Sequence, residues 1–208
     1  MKIPFWVAAL ILCFEILVVF TMIPDRHIVK SIESESVLIN QRLGRDTANA
    51  IIVKANKWYD GGVVQTGAKR MVYDFFIPQD DPNSKFGNTN LAPTYFNYMS
   101  ERIETLFKTY YQLLMRIAQL IVWAPYLLIV FLPALYDGYM SWKIKRTGFD
   151  YPSPLLHHYS ILACVLLLVG SLGLFILPIA LDPIIIPIVL ILLSIFTGIA
   201  IGNMQKRI

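Results

Sequence analysis

The chain has 208 residues, of which 56% are hydrophobic and only 15% are charged. An ordinary soluble domain is about 25% charged, so this composition excludes a purely soluble protein and indicates a polytopic membrane protein with one modest polar part. The net charge of +4 is spread along the chain and does not indicate nucleic-acid binding. Cys13 and Cys164 both lie in apolar runs, so we expect small buried side chains rather than a disulfide or a metal site.

The first apolar run, in residues 1–23, is predicted to be transmembrane helix 1. It is longer than the core of a signal peptide and lacks a small-residue cleavage site, so we expect an uncleaved anchor. Glu15 lies near its middle, where an ionised carboxylate costs about 3 kcal/mol or more. Three interpretations of Glu15 stay open: a hydrogen bond within the helix bundle, a contact with a membrane helix of a partner, or a proton relay.

Residues 24–116 are predicted to form a mainly helical domain, because charges of both signs return there. Apolar residues recur with a helical period over residues 28–59. Gly44 interrupts this pattern, and Asp46 or Thr47 could cap a second helix. Gly61 and the glycine after it are expected to end that helix.

The second half of this domain is less regular. Residues 72–77 fit a strand or a helix, and residues 78–90 have the composition of a loop. From Ile103 to Ile117 the apolar residues again follow a helical stripe, which continues into the next apolar run. We therefore predict a single helix that leaves the membrane and packs against the helical segment 28–59.

Three further spans are predicted at residues 117–137, 158–181 and 184–202, with a cytoplasmic loop at 138–157 and a tail at 203–208. Pro125 and Pro133 are expected to kink the second span. A tight turn at Asp182 joins the third and fourth spans. Small residues that permit close helix contact are present in both of these spans. They are Gly170, Gly173, Gly198 and Gly202.

Positive charges in the short segments predict the topology. With four spans, all of these charges fall on one side of the membrane. They are Lys2, Lys143, Lys145, Arg146, Lys206 and Arg207. Both termini are therefore predicted to be cytoplasmic and residues 24–116 periplasmic, in a multi-pass protein of a bacterial inner membrane. Lys143, Lys145 and Arg146 are expected to contact anionic lipid at the membrane surface rather than DNA.

Several short motifs between residues 116 and 160 occur together. They are Trp123-Ala-Pro-Tyr126, Phe131-Leu-Pro-Ala-Leu-Tyr-Asp-Gly138, Lys143-Ile-Lys-Arg-Thr-Gly-Phe149, Ser153-Pro154 and His158-Tyr159. Together with the four-span layout, they resemble a TraJ-like family of inner-membrane proteins from conjugative plasmids and integrative conjugative elements. The resemblance implies a protein accessory to the conjugative coupling ATPase, and it implies no catalytic residue.

Asp137, Trp142 and Phe149 are predicted to bind a partner, because the loop has more aromatic, glycine and proline residues than a membrane anchor needs. Glu15 is the fourth predicted contact. The adjacent histidines His157 and His158 do not have the spacing of a zinc-binding helix.

We therefore expect an all-α, non-enzymatic component of conjugative DNA transfer by type IV secretion. It would bind the coupling ATPase or the transfer channel and the lipid membrane, with no cofactor and no direct contact with nucleic acid. It could also form a homo-oligomer. The alternative is a small transporter or channel that uses Glu15. A membrane-bound enzyme would need several polar groups facing a cavity, and only Glu15 lies deep in the membrane.

Overall fold

The computed structural model describes residues 5–77, 92–148 and 150–205, and in these ranges every regular element is helical. This confirms the all-α prediction. The helices are α1 (Phe5–Met22), α2 (Asp25–Leu43), α3 (Arg45–Tyr59), α4 (Ala68–Phe76), α5 (Ala92–Thr147), α6 (Pro154–Ile176) and α7 (Ile185–Gly202), with a π-helical turn at Asp60–Val64.

Contacts divide the chain into two compact units. The apolar unit comprises Met1–Leu12, Gln119–Phe175 and Pro183–Ile208. The polar unit comprises Cys13–Ala118 and Ile176–Asp182. Helix α5 runs without a break through parts of both, which confirms the prediction of one continuous helix.

Glycines and a π-helical turn decide the path of the chain in the polar unit. Gly44 has φ = 83°, a conformation that suits glycine, and it separates α2 from α3 as predicted. No side chain caps α3, so the predicted cap at Asp46 or Thr47 is wrong. The predicted end at Gly61 is also wrong. A hydrogen bond of 2.8 Å from Gln65 N to Asp60 O continues the helix through that position as a π-helical turn.

The core of the polar unit comes from one stripe on each of its main helices. On α2 the buried positions are Ile28, Ser31, Glu35 and Ile39. On α3 they are Ala48, Ile51 and Ala55. The contacts between α2 and α5 confirm that α5 packs against the helical segment after residue 28. Residues 72–77 belong mostly to α4, and the predicted loop at 78–90 lies outside the described residues.

Three described helices are long and apolar enough to cross a membrane. They are the helix that includes Tyr95–Thr147, Pro154–Ile176 and Ile185–Gly202. A shorter apolar helix occupies Ala9–Met22. Helix α6 stops at Ile176, before residue 181, the predicted end of the third span. Pro178 disfavours helical conformation in the residue before it, so residues 177–184 form a longer connection than the predicted tight turn at Asp182.

Close packing of α5 against α7 holds the apolar unit together. A Cβ atom added to Gly138 would lie 2.5 Å from the carbonyl oxygen of Gly198, and one added to Gly198 would lie 2.9 Å from that of Ala134. Gly202 lies against Ser141. The predicted role of Gly198 and Gly202 is therefore confirmed. Gly170 has no atom within 4 Å of an added Cβ, so it does not serve the same purpose.

Candidate functional site

The end of the apolar unit near residues 137–157 has a short connection between α5 and α6. Helix α5 continues to Thr147, where the Gly148 amide donates to the Ile144 carbonyl at 2.8 Å. Helix α6 begins at Pro154, a residue that suits a first helical turn. Only residues 148–153 lie between the two helices, so most of the predicted loop is helical.

Asn203 joins three parts of the chain at this end. Its Oδ1 atom accepts hydrogen bonds from Lys145 Nζ at 2.9 Å and from the Ser153 amide at 3.4 Å. Its Nδ2 atom donates to the Ile199 carbonyl at 2.9 Å. Asn203 is 6% exposed, so these bonds are sheltered from solvent. They fix the end of α7 against α5 and against the start of α6.

The two histidines of α6 have separate surroundings. His157 Nδ1 lies 2.8 Å from the Ala200 carbonyl oxygen, which adds a second link between α6 and α7. The His158 ring contacts the Tyr159 ring, with centroids 5.8 Å apart. Within the described ranges no three His, Cys, Asp or Glu residues are placed to hold a metal ion.

The predicted partner-binding residues at this end differ in exposure. Asp137 and Lys143 are exposed on α5. Trp142 is half-buried, with the Arg146 guanidinium 5.4 Å from its ring centroid. The Trp142 Nε1 atom is buried and has no hydrogen-bond partner in the described part of the chain. Phe149 lies outside the described residues.

The basic residues predicted to contact lipid are therefore not equivalent. Lys145 is bonded to Asn203 and Arg146 is stacked on Trp142, whereas Lys143 extends into the surroundings. Lys2, Lys206 and Arg207 lie outside the described residues.

Residues of the first apolar helix are mostly exposed in the isolated chain. Phe14 is 68% exposed and Leu17 is 57% exposed. Cys13 is also exposed and Cys164 is half-buried, so the prediction that both thiols are buried is wrong for Cys13. The Glu15 Oε1 atom is inaccessible, and no hydrogen bond to it is present among the described residues. Glu15 as a whole is half-buried, so this unpaired oxygen is covered in the isolated chain rather than open to another molecule.

A buried ion pair that the sequence analysis missed lies in the polar unit. The Arg116 guanidinium donates from Nε to Glu35 Oε1 at 3.0 Å and from Nη2 to Glu35 Oε2 at 2.9 Å. The two side chains are 1% and 0% exposed. Gln112 Nε2 completes the group with bonds to Glu35 Oε2 at 2.7 Å and to Ser31 Oγ at 3.0 Å. We call these four residues the buried clamp.

Arg116 also holds the connection between α6 and α7. Its Nη1 atom donates to the Leu177 carbonyl at 2.8 Å, and its Nη2 atom donates to the Ile179 carbonyl. These carbonyls follow the end of α6, where helical partners are missing. The clamp therefore satisfies both a buried carboxylate and two backbone acceptors with one guanidinium group.

One sequence signal could have indicated the clamp. Glu35 falls on the same helical stripe as Ile28 and Ile39, where only apolar residues are expected. A carboxylate on a buried stripe requires a cation or several donors. Arg116 is one of several basic residues at a suitable distance along the chain, so the pattern alone does not identify the partner.

Comparison with known proteins gives one match. A family model described as an IncC plasmid conjugative DNA transfer protein, DtrJ-like, matches residues 7–206. No curated protein matches the chain, and no solved structure matches it. The match covers both structural units and confirms the resemblance to proteins of conjugative plasmids.

Proposed function

This chain belongs to the DtrJ-like family of IncC plasmid conjugative DNA transfer proteins, and we propose that it is an inner-membrane component of the transfer machinery. In this role it binds the coupling ATPase or another part of the type IV secretion channel without catalysing a reaction itself. The observation that supports this proposal most is the family match over both units, combined with three helices able to span a membrane.

We propose four spans, with α1 as the first and both termini in the cytoplasm. The basic residues at the end of α5 support this orientation, because positive charge favours the cytoplasmic side. Residues 24–116 are then periplasmic. The Oε1 atom of Glu15, within α1, has no hydrogen-bond partner in the described part of the chain and would gain a donor if a membrane helix of the partner packed there, which supports a role in assembly.

A transport role for Glu15 has less support. The groove described between α5 and α7 is lined by apolar and aromatic side chains, which favour hydrocarbon over ions. The residues of this lining are Trp123, Tyr126, Leu127, Val130, Pro187, Leu190 and Ile191. We therefore retain assembly as the proposed role.

The topology is testable with single cysteines in a chain that carries Cys13→Ala and Cys164→Ala. We choose Val53→Cys on α3 and Tyr151→Cys before α6, because these side chains are 65% and 93% exposed. A membrane-impermeant thiol reagent added outside spheroplasts is expected to label the Val53→Cys variant and to leave the Tyr151→Cys variant unlabelled until the membrane is opened. The reverse labelling pattern would refute the proposed orientation.

We propose that the coupling ATPase docks on the surface at the cytoplasmic end of α5 that contains Asp137 and Trp142, with Phe149, which follows α5 in the sequence, as a further contact. The bonds to Asn203 hold this region in a defined shape, which reduces the entropy lost on binding. Lys143 and Tyr151 extend from the same region and are exposed. Basic residues alone would be sufficient for orientation, so the aromatic residues indicate a contact with a protein.

Replacing Trp142 and Phe149 together with alanine is expected to reduce recovery of the coupling ATPase in mild detergent at least tenfold, with an equal or larger drop in transfer frequency. Aromatic anchors at an interface often contribute more than the 1.4 kcal/mol that corresponds to tenfold. The matched control is Leu155→Ala with Tyr159→Ala, two residues of α6 that are 66% and 63% exposed. Membrane insertion and thermal stability are measured in both variants. Unchanged recovery of the ATPase in a stable Trp142→Ala, Phe149→Ala variant would contradict docking at this surface.

A further inference from the structure

Helix α4 is attached to the polar unit through one face. Lys69 Nζ donates to Glu104 Oε1 at 2.6 Å, and the Tyr73 hydroxyl donates to the same oxygen at 3.2 Å. The hydrogen bond to Glu104 raises the pKa of Lys69 above its ordinary value, as expected for an amine held by a carboxylate. These bonds anchor α4 to α5.

The opposite face of α4 is open. Met71 is 71% exposed and Phe75 is 80% exposed, and the two are one helical turn apart. Arg70 and Asp74 lie beside them, with 85% and 52% of their side chains exposed. The distance from Arg70 Nε to Asp74 Oδ2 is 3.9 Å, too long for a direct hydrogen bond. This surface, which we call the α4 outer face, combines adjacent apolar side chains with two weakly engaged charges.

The charges on this face favour protein as its occupant. Arg70 and Asp74 lie beside Met71 and Phe75, and complementary charges on a protein surface can pair with both, whereas hydrocarbon can pair with neither.

We propose that the α4 outer face binds the same face of a second copy of this chain, with the two helices antiparallel about a twofold axis. In that arrangement Arg70 of one copy lies opposite Asp74 of the other, and the reverse contact is also made. Met71 lies opposite Phe75 in the same way. A twofold interface requires a surface that is complementary to itself. Arg70 and Asp74 form one row along the helix and Met71 and Phe75 form a second, so an antiparallel copy places each row opposite its own equivalent in reverse order.

The contact needs to be only moderately strong. Two copies in one membrane are confined to a thin layer with a common orientation, and this raises their effective concentration. The charge pairs between Arg70 and Asp74 of the two copies, together with the contacts between Met71 and Phe75, are then sufficient for association. This dimer contact lies on α4 and does not depend on binding to the coupling ATPase, so it is tested in its absence.

The experiment uses the full chain in isolated membranes, with Cys13→Ala and Cys164→Ala in every variant. A short bismaleimide is expected to crosslink the Met71→Cys variant into a dimer. Val53→Cys, on α3 of the same unit and 65% exposed, is the matched control and is expected to remain monomeric. Equal crosslinking at the two positions would refute the proposal, because it would report random collision.

Charge reversal then tests the pairing between copies. Arg70→Asp alone places acidic residues opposite each other, and Asp74→Arg alone places basic residues opposite each other. Each is expected to lower the crosslinking yield of Met71→Cys roughly fivefold, as expected for the loss of exposed charge pairs. Co-expression of the two variants with different tags is expected to restore the yield in mixed dimers, because each Asp then faces an Arg.

The mixed dimer separates pairing between copies from pairing within a helix. Neither single variant regains its own Arg70–Asp74 pair on co-expression, so recovery of the yield requires a contact between copies. Failure of the mixed dimer to exceed the single variants would overturn the proposal. Protection of Met71→Cys from a monofunctional maleimide without a crosslinked dimer would also overturn it, because another surface would then cover the face.

Discussion

Replacing Arg116 with methionine is expected to lower the free energy of unfolding by about 3–5 kcal/mol, because it leaves Glu35 buried without its cation. The carbonyls of Leu177 and Ile179 would lose donors in the same variant. The measurement is thermal or denaturant unfolding of the purified chain in detergent. We expect a corresponding loss of the protein from membranes, because the clamp links α2, α5 and the connection after α6.

Two further variants show whether the effect comes from an unpaired buried charge. Arg42→Met breaks another arginine–carboxylate pair of the same unit, but Arg42 and Asp182 are 50% and 32% exposed, so the expected loss is below about 1 kcal/mol. Arg116→Met combined with Glu35→Leu removes both buried charges and is expected to be more stable than Arg116→Met alone. Equal losses for Arg116→Met and Arg42→Met would contradict the burial of the clamp.

A single methyl group at Gly138 is expected to destabilise the apolar unit by about 1–3 kcal/mol, the usual cost of overpacking. The added Cβ would lie 2.5 Å from the carbonyl oxygen of Gly198, so one of the two helices has to move. The thermal midpoint of the Gly138→Ala variant in detergent, followed by the fluorescence of its tryptophans, measures this effect.

Gly170→Ala is the matched control, since Gly170 is also a glycine within a helix able to span a membrane but has no atom within 4 Å of an added Cβ. Alanine is favoured over glycine in a helix by about 1 kcal/mol, so this variant is expected to be neutral or slightly more stable. A stable Gly138→Ala variant that loses only partner binding would instead place Gly138 in the docking surface.

Local sequence patterns were sufficient to predict the helical class and much of the chain path. The apolar stripe from Ile103 to Ile117 predicted the continuous helix that the structure shows as α5. Gly44 predicted the break between α2 and α3, because the chain turns there with a positive φ that other residues rarely adopt. Long apolar runs predicted the helices able to span a membrane, since their length and composition are local properties.

Tertiary contacts decided what the local patterns left open. Glu35 and Arg116 are separated by 81 residues, and only the packing of α2 against α5 shows that each is the partner of the other. The predicted loop begins at Gly138, yet this residue lies inside α5. It packs so closely on Gly198 that an added Cβ would lie 2.5 Å from the Gly198 carbonyl oxygen, which explains a glycine within this helix. Helix periodicity depends on residues that are neighbours in the sequence. The partner of a buried charge depends instead on which distant segments of the chain pack together out of contact with water.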